Sequence, residues 1–153
     1  MREVVTSKQM KAIDRYTIEN IGIPSMVLME RAALEVAECV IEHSSLSDRI
    51  LAVCGIGNNG GDAIAVARIL HCKGYRVDIL IVGDEMRATT ETKQQLNIAK
   101  KVGISIFNNI NMSEYTIVID GLFGIGLNKP VTGIYAETIK SINAGKQKVF
   151  AID

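Results

Sequence analysis

An α/β fold, three layers with a mostly parallel sheet between helices, is what this 153-residue chain predicts, and three observations carry the prediction. Short apolar runs alternate with amphipathic stretches from residue 49 onward. Glycines and aspartates cluster where those runs end, and two helical stretches stand ahead of the first run.

Residues 7–20 form the first helical stretch, with Met10, Ile13, Tyr16, Thr17 and Ile18 crowding one side. The second covers about 25–43, and Pro24 and Ser25 are its start signals. Residues 49–54 are a short apolar strand running into glycines. A helical pattern over 63–73 follows, Gly74 stops it, and 76–82 is a second buried strand. The alternation continues with a polar amphipathic helix over 89–102, strands at 104–107 and 115–119, a helix near 135–143 and a last strand at 148–152. Repeats, Pro-rich linkers and low-complexity tracts are absent, so one domain spanning 1–153 is expected. The chain stops at Asp153, directly after a strand, where a doubly wound domain normally continues; the expectation is a domain truncated at its C-terminal end.

Lys plus Arg and Asp plus Glu both number 17, and no long charged block is present. That balance argues against nucleic acid or a membrane surface as partner and requires any anionic ligand to be held locally. No signal peptide or apolar run long enough to span a membrane is visible, and the cytoplasm is the expected compartment. Cys39, Cys54 and Cys72 are too few and too scattered for a disulfide framework or a zinc site, and are expected to be reduced and buried. His43 and His71 fall near helix ends, where an imidazole interacts with terminal carbonyls. Met10, Met26 and Met29 read as core or dimer filling.

The strongest local signal is Gly55-Ile56-Gly57-Asn58-Asn59-Gly60-Gly61-Asp62, between the first strand and its helix. Four glycines in eight positions permit positive φ and close backbone approach, and free N–H groups at the following helix start favour a phosphate. Gly55, Gly57 and Gly60 satisfy G-x-G-x-x-G, with Asp84 placed after the second strand, which makes the sandwich Rossmann-like. The amides of Asn58 and Asn59 and the carboxylate of Asp62 add polar groups that pyrophosphate binding alone does not require. A turn capped by asparagine is the plain structural alternative.

A second signal, Asp120-Gly121-Leu122-Phe123-Gly124-Ile125-Gly126-Leu127-Asn128-Lys129-Pro130, follows the strand at 115–119. Open α/β sheets bind ligands outside the carboxyl ends of their strands, so Asp120 is well placed; a helix cap with a glycine hinge is the alternative. Asp153 is a third acid at a strand end, and Asp62, Asp120 and Asp153 converge if the topology is doubly wound.

In this order, and with the two leading helices and the terminal Ala151-Ile152-Asp153, the motifs resemble the YjeF N-terminal domain, the NAD(P)H-hydrate epimerase family, along essentially the whole chain. The resemblance implies interconversion of the R and S forms of NAD(P)H hydrated at C6 of the nicotinamide ring, so that a stereospecific dehydratase restores the cofactor. It implies a potassium ion (K+) held by Asn59 and Asp120, with substrate contacts from Asn58, Asn59, Gly60, Gly61 and Asp62. Gly124, Ile125, Gly126, Leu127, Asn128, Lys129 and Pro130 would line the phosphates, and Asp153 would reach the reacting ring as the catalytic acid and base. A homodimer and a fused or separate ADP-dependent dehydratase are the partners implied. Ala63, Ile125 and Lys129 stand where relatives carry glycine, threonine and arginine, and the Pro-Ser-Gly segment that follows Asp153 in relatives, with its potassium-binding serine, is missing. Two other readings compete: the nucleotide-binding domain of an NAD-dependent dehydrogenase, resting on G-x-G-x-x-G and Asp84, and a non-catalytic dimeric scaffold of the same fold, like those that enhance mRNA decapping.

Overall fold

The computed structural model describes residues 5–152. Helix α1, Ser7–Tyr16, starts in a capping box: the N–H of Gln9 donates to Thr6 Oγ1 (3.3 Å), and the N–H of Thr6 donates to Gln9 Oε1 (2.8 Å). The coil continues as a π-turn, Thr17–Ile21. There the Thr17 hydroxyl donates to the Ile13 carbonyl (2.9 Å), and Gly22, at φ 86°, closes the turn. The stretch predicted over 7–20 is therefore helical but widened at its end. Helix α2, Ser25–Glu42, has Pro24 at its N-cap and buries Met29, Ala33, Ala37 and Val40 along one stripe.

Five strands follow among the described residues: β1, Arg49–Cys54; β2, Arg76–Ile81; β3, Ile106–Phe107; β4, Ile117–Gly121; and β5, Lys148–Ala151. All four pairings are parallel and the spatial order is β3-β2-β1-β4-β5. Helix α3, Asn58–Cys72, links β1 to β2, and α4, Thr90–Lys101, links β2 to β3. With α2 they cover one sheet face, where Ile50, Ala52, Ile79 and Ile119 meet Ala33, Ala37, Ile64 and Leu96. Helix α5, Gly133–Ala144, links β4 to β5 and closes the other face over Leu51, Val53, Leu80 and Val118. The strand order reverses between β1 and β4, which is the topological switch point where such sheets bind ligands.

Three expectations are corrected. Helix α3 begins at Asn58, not at residue 63, so the glycine segment is largely the first turn of the helix. Its low-propensity residues hide that start, since each interior glycine costs a helix about 1 kcal/mol against alanine. Strand β4 lies two residues later than predicted and includes Asp120, whose backbone pairs with Val53 and Ala151. Among the cysteines only Cys54 is buried; Cys39 lies off the buried stripe of α2 and Cys72 at the open end of α3. His43 meets the carbonyl of Cys39 through Nδ1 (2.8 Å), the terminal contact expected of it.

Candidate functional site

The two glycine motifs meet at the switch point, and bare backbone lets them meet. A Cβ on Gly55 would stand 2.3 Å from the Leu122 carbonyl oxygen, and one on Gly60 would stand 1.9 Å from that of Gly55. Gly121 packs against Ala63 and the Asn59 backbone, where a Cβ would come within 2.4 and 2.9 Å. None of Gly55, Gly57, Gly60 and Gly61 has positive φ; Gly55 and Gly60 are required by close backbone contact, not because the chain turns left-handed, and a Cβ on Gly57 would meet nothing within 4 Å. With Gly57 extended at the N-cap, α3 opens at the switch point, where the unpaired N–H groups of its first turn form a site for negative charge.

Asn59 ties the motifs together: its Nδ2 donates to the Phe123 carbonyl at 2.9 Å, leaving Oδ1 as an oxygen donor beside Gly124. Asp120 accepts the Leu122 N–H through Oδ1 at 3.0 Å, which fixes its carboxylate at the end of β4. Burial, with a further push from Asp120, raises the pKa of the Cys54 thiol, so that sulfur stays protonated and inert. The Asp62 carboxyl is pushed up to about 6, first by burial and then by the neighbouring Asp14 carboxylate.

A cleft of about 1050 Å³ opens over this junction. Of the residues singled out in the sequence, Asn58, Asn59, Asp62, Gly124, Ile125, Gly126, Leu127, Asn128 and Lys129 line it. Gly60 and Gly61 are buried beneath, Asp120 and Pro130 fall outside the lining, and Asp153 lies outside the described residues, next to Ile152, which does line the cleft. Asp84 caps a separate turn by accepting the Met86 N–H (3.0 Å) and is not in the lining. Ala63 is fully buried against Gly121, so its methyl is packing.

Sequence reasoning missed one wall of the cleft. Ser7, Met10, Lys11 and Asp14 of α1 line it, as does Tyr135 of α5, whose ring stacks at a tilt on Phe123 with centroids 5.1 Å apart. The spacing of the α1 residues, at i, i+3, i+4 and i+7, was the available signal, masked by the apolar residues beside it. A second hollow of about 630 Å³ under α5, lined by Asn108, Asn111, Glu137 and Ser141 among others, holds no residue of either glycine motif. Among the described residues no three His, Cys, Asp or Glu side chains gather as a metal cluster, and no helix is long and apolar enough to cross a membrane.

Comparison with known proteins follows the same lines. An NAD(P)H-hydrate epimerase of Weissella koreensis is 47% identical over 154 residues, spanning 100% of this chain and 70% of its own length. The NAD(P)H-hydrate epimerase of Oenococcus oeni is 44% identical over 151 residues, spanning 97% of this chain and 72% of its own. The crystal structure of yeast ynu0, YNL200c, shares the fold with a TM-score of 0.85 at 22% identity, covering 99% of this chain and 70% of that one. The profile of the family described as "YjeF-related protein N-terminus" matches residues 25–153. On that match and on relatives aligned along nearly all of its length, the chain belongs to the YjeF-related N-terminal family.

Proposed function

We propose that this chain is an isomerase that interconverts the R and S epimers of hydrated NAD(P)H, the activity for which its relatives are named, as part of nicotinamide cofactor repair. The observation that carries the reading is the cleft itself. It lies at the switch point and joins both glycine motifs, and its volume is at the upper end of the range for small-ligand sites, as a dinucleotide demands. The first turn of α3 and Lys129 provide for phosphate. Asn58 and Asp62 provide hydrogen bonds to the sugar or carboxamide, and Asp62 holds its proton further toward neutral pH than an ordinary carboxylate.

The chemistry asks little of the protein beyond proton transfer. The ring nitrogen adjoins C6, and its lone pair expels the C6 hydroxyl as water once that oxygen takes a proton. Water then adds to either face of the cationic ring and returns a proton. Asp153 is proposed as the acid and base for both directions, and the walls of the cleft keep the ring in place between them.

The oxygen donors present suit a potassium ion. Asn59 has its amide nitrogen engaged by Phe123, which leaves the oxygen for a ligand, and Asp120 contributes one carboxylate. When bound, the ion would supply positive charge beside the phosphates. A homodimer is proposed on the exposed apolar residues of the N-terminal segment. Tyr16 and Ile21 are 60% and 59% exposed, and α1 buries none of its residues although it is strongly amphipathic. A ten-residue helix is marginal without such packing. An ADP-dependent dehydratase, fused or separate, is the proposed consumer of the product, and the cytoplasm is the proposed compartment, in keeping with three unpaired cysteines.

The test is incubation of purified S- and R-hydrated NADPH with the chain, followed by chromatography, with potassium or a non-coordinating cation. Conversion of either epimer to the mixture, faster with potassium, is expected. A folded protein that leaves both epimers at the buffer rate would overturn the reading.

A further inference from the structure

We propose that α1 is a substrate-recognition element of the same cleft, in which Lys11 binds a phosphate group of the dinucleotide. The inference rests on the cleft being the hydrated NAD(P)H site. Ser7, Met10, Lys11 and Asp14 all line the cleft, and their spacing places them on one face of α1, so the helix presents a continuous stripe to the ligand space. That stripe is polar apart from Met10, and every residue of α1 is exposed rather than sunk in the core, so core packing does not account for it.

Charge gives Lys11 its assignment. The charged side chains lining the cleft are two carboxylates, Asp14 and Asp62, and two cations, Lys11 and Lys129. The bound dinucleotide brings two negative charges in its diphosphate and more in a 2′-phosphate. Lys129, from the loop after β4, meets one part of that charge, and Lys11 is the cation available on the α1 wall. Among the described residues neither lysine forms an ion pair with a carboxylate, so both ammonium groups are available for phosphate. Lysine acts here as a mobile point charge and tolerates the approach of a flexible ligand.

The experiment compares the wild type with Lys11→Ala, Lys11→Arg and, as a control on the same helix outside the cleft lining, Lys8→Ala. Binding of hydrated NADPH and hydrated NADH is followed by calorimetry at two salt concentrations, alongside epimerisation rates. Lys11→Ala is expected to weaken binding about tenfold or more and to flatten its salt dependence, with the saturated rate changed less than about twofold. Lys11→Arg should retain most of the affinity, and Lys8→Ala should behave as wild type. An equal loss for both ligands assigns Lys11 to the diphosphate, and a loss confined to hydrated NADPH assigns it to the 2′-phosphate. Wild-type affinity in Lys11→Ala, or an equal loss in Lys8→Ala, overturns the proposal while leaving the epimerase reading intact. A folded wild type that neither binds nor converts either ligand overturns that reading, and this proposal with it.

Discussion

The side-chain nitrogen of Asn59 and the carbonyl oxygen of Phe123, 64 residues apart in sequence, are joined by a 2.9 Å hydrogen bond that locks the first turn of α3 to the loop after β4. The cleft has these two segments as its floor, so its shape depends on that bond.

Replacing Asn59 by aspartate removes the donor and adds a negative charge near Asp62 and Asp120. We expect Asn59→Asp to lose about 1–2 kcal/mol of stability, since a bonded carbonyl is left against an acceptor. Epimerisation should fall by about a hundredfold through the lost tie to Phe123, while a response to potassium is retained, because the carboxylate still offers the ion an oxygen. Denaturant titration and rate measurements across a potassium series check both.

Gly60→Ala reverses the usual helix rule. Alanine in a helix interior ordinarily stabilises, but here its methyl would lie 1.9 Å from the Gly55 carbonyl oxygen, and backbone cannot move aside cheaply. The expected cost is about 3 kcal/mol or more, as for other overpacked interiors. Gly57→Ala meets nothing within 4 Å and has φ of −86°, so it should cost less than about 1 kcal/mol. Comparison of the two unfolding midpoints decides the matter.

Asp62 makes stability depend on pH with a definite sign. Its carboxyl moves from 3.8 to about 6 on folding, so the folded chain binds the proton more tightly than the unfolded chain. The stability tied to this group is fully present below 3.8 and is lost as pH rises through about 6. Asp62→Asn, which cannot charge, should therefore be about 1–2 kcal/mol more stable than wild type at pH 7.5, after allowance for solvent screening, and nearly equal to it at pH 4. Activity should drop at both pH values, because the carboxyl lines the cleft.

Ile13 and Tyr16 sit on α1 away from the Ser7, Lys11 and Asp14 stripe and are 50% and 60% exposed. The double substitution Ile13→Asp and Tyr16→Asp is expected to convert a homodimer to a monomer by light scattering, with little change in circular dichroism, because neither residue is part of the core. An unchanged mass of two chains would remove this surface from the interface.

Much of the fold was legible from pattern. Apolar runs bounded by glycine marked the strands at 49–54 and 76–82 within a residue, because burial on both faces of a parallel sheet favours near-continuous apolar runs. The helix over 89–102 was legible from its amphipathic pattern, and the structure adds a cap, with Thr89 accepting the Thr92 N–H (3.3 Å). The start of α3 was not. Asn58, Asn59, Gly60 and Gly61 are poor helix formers, and the reason 60 and 61 are glycine lies in tertiary contacts, with the Gly55 backbone and with the Met29 and Thr92 side chains, that the sequence does not display. Likewise, the sequence carried no sign that Thr17 would widen the coil into a π-turn.

The sequence by itself determined the order of elements, the balance of charge, and the two motifs that belong at strand ends, because each is a property of short segments. Only the tertiary structure decided which of those residues share a space. It brought Asn59 to Phe123, sank Gly60 and Gly61 under the cleft, raised the Asp62 carboxyl and set α1 across from the glycine motifs. Those outcomes come from contacts between segments 30 to 60 or more residues apart, whose energies depend on distance and burial and leave no periodicity for a sequence to display.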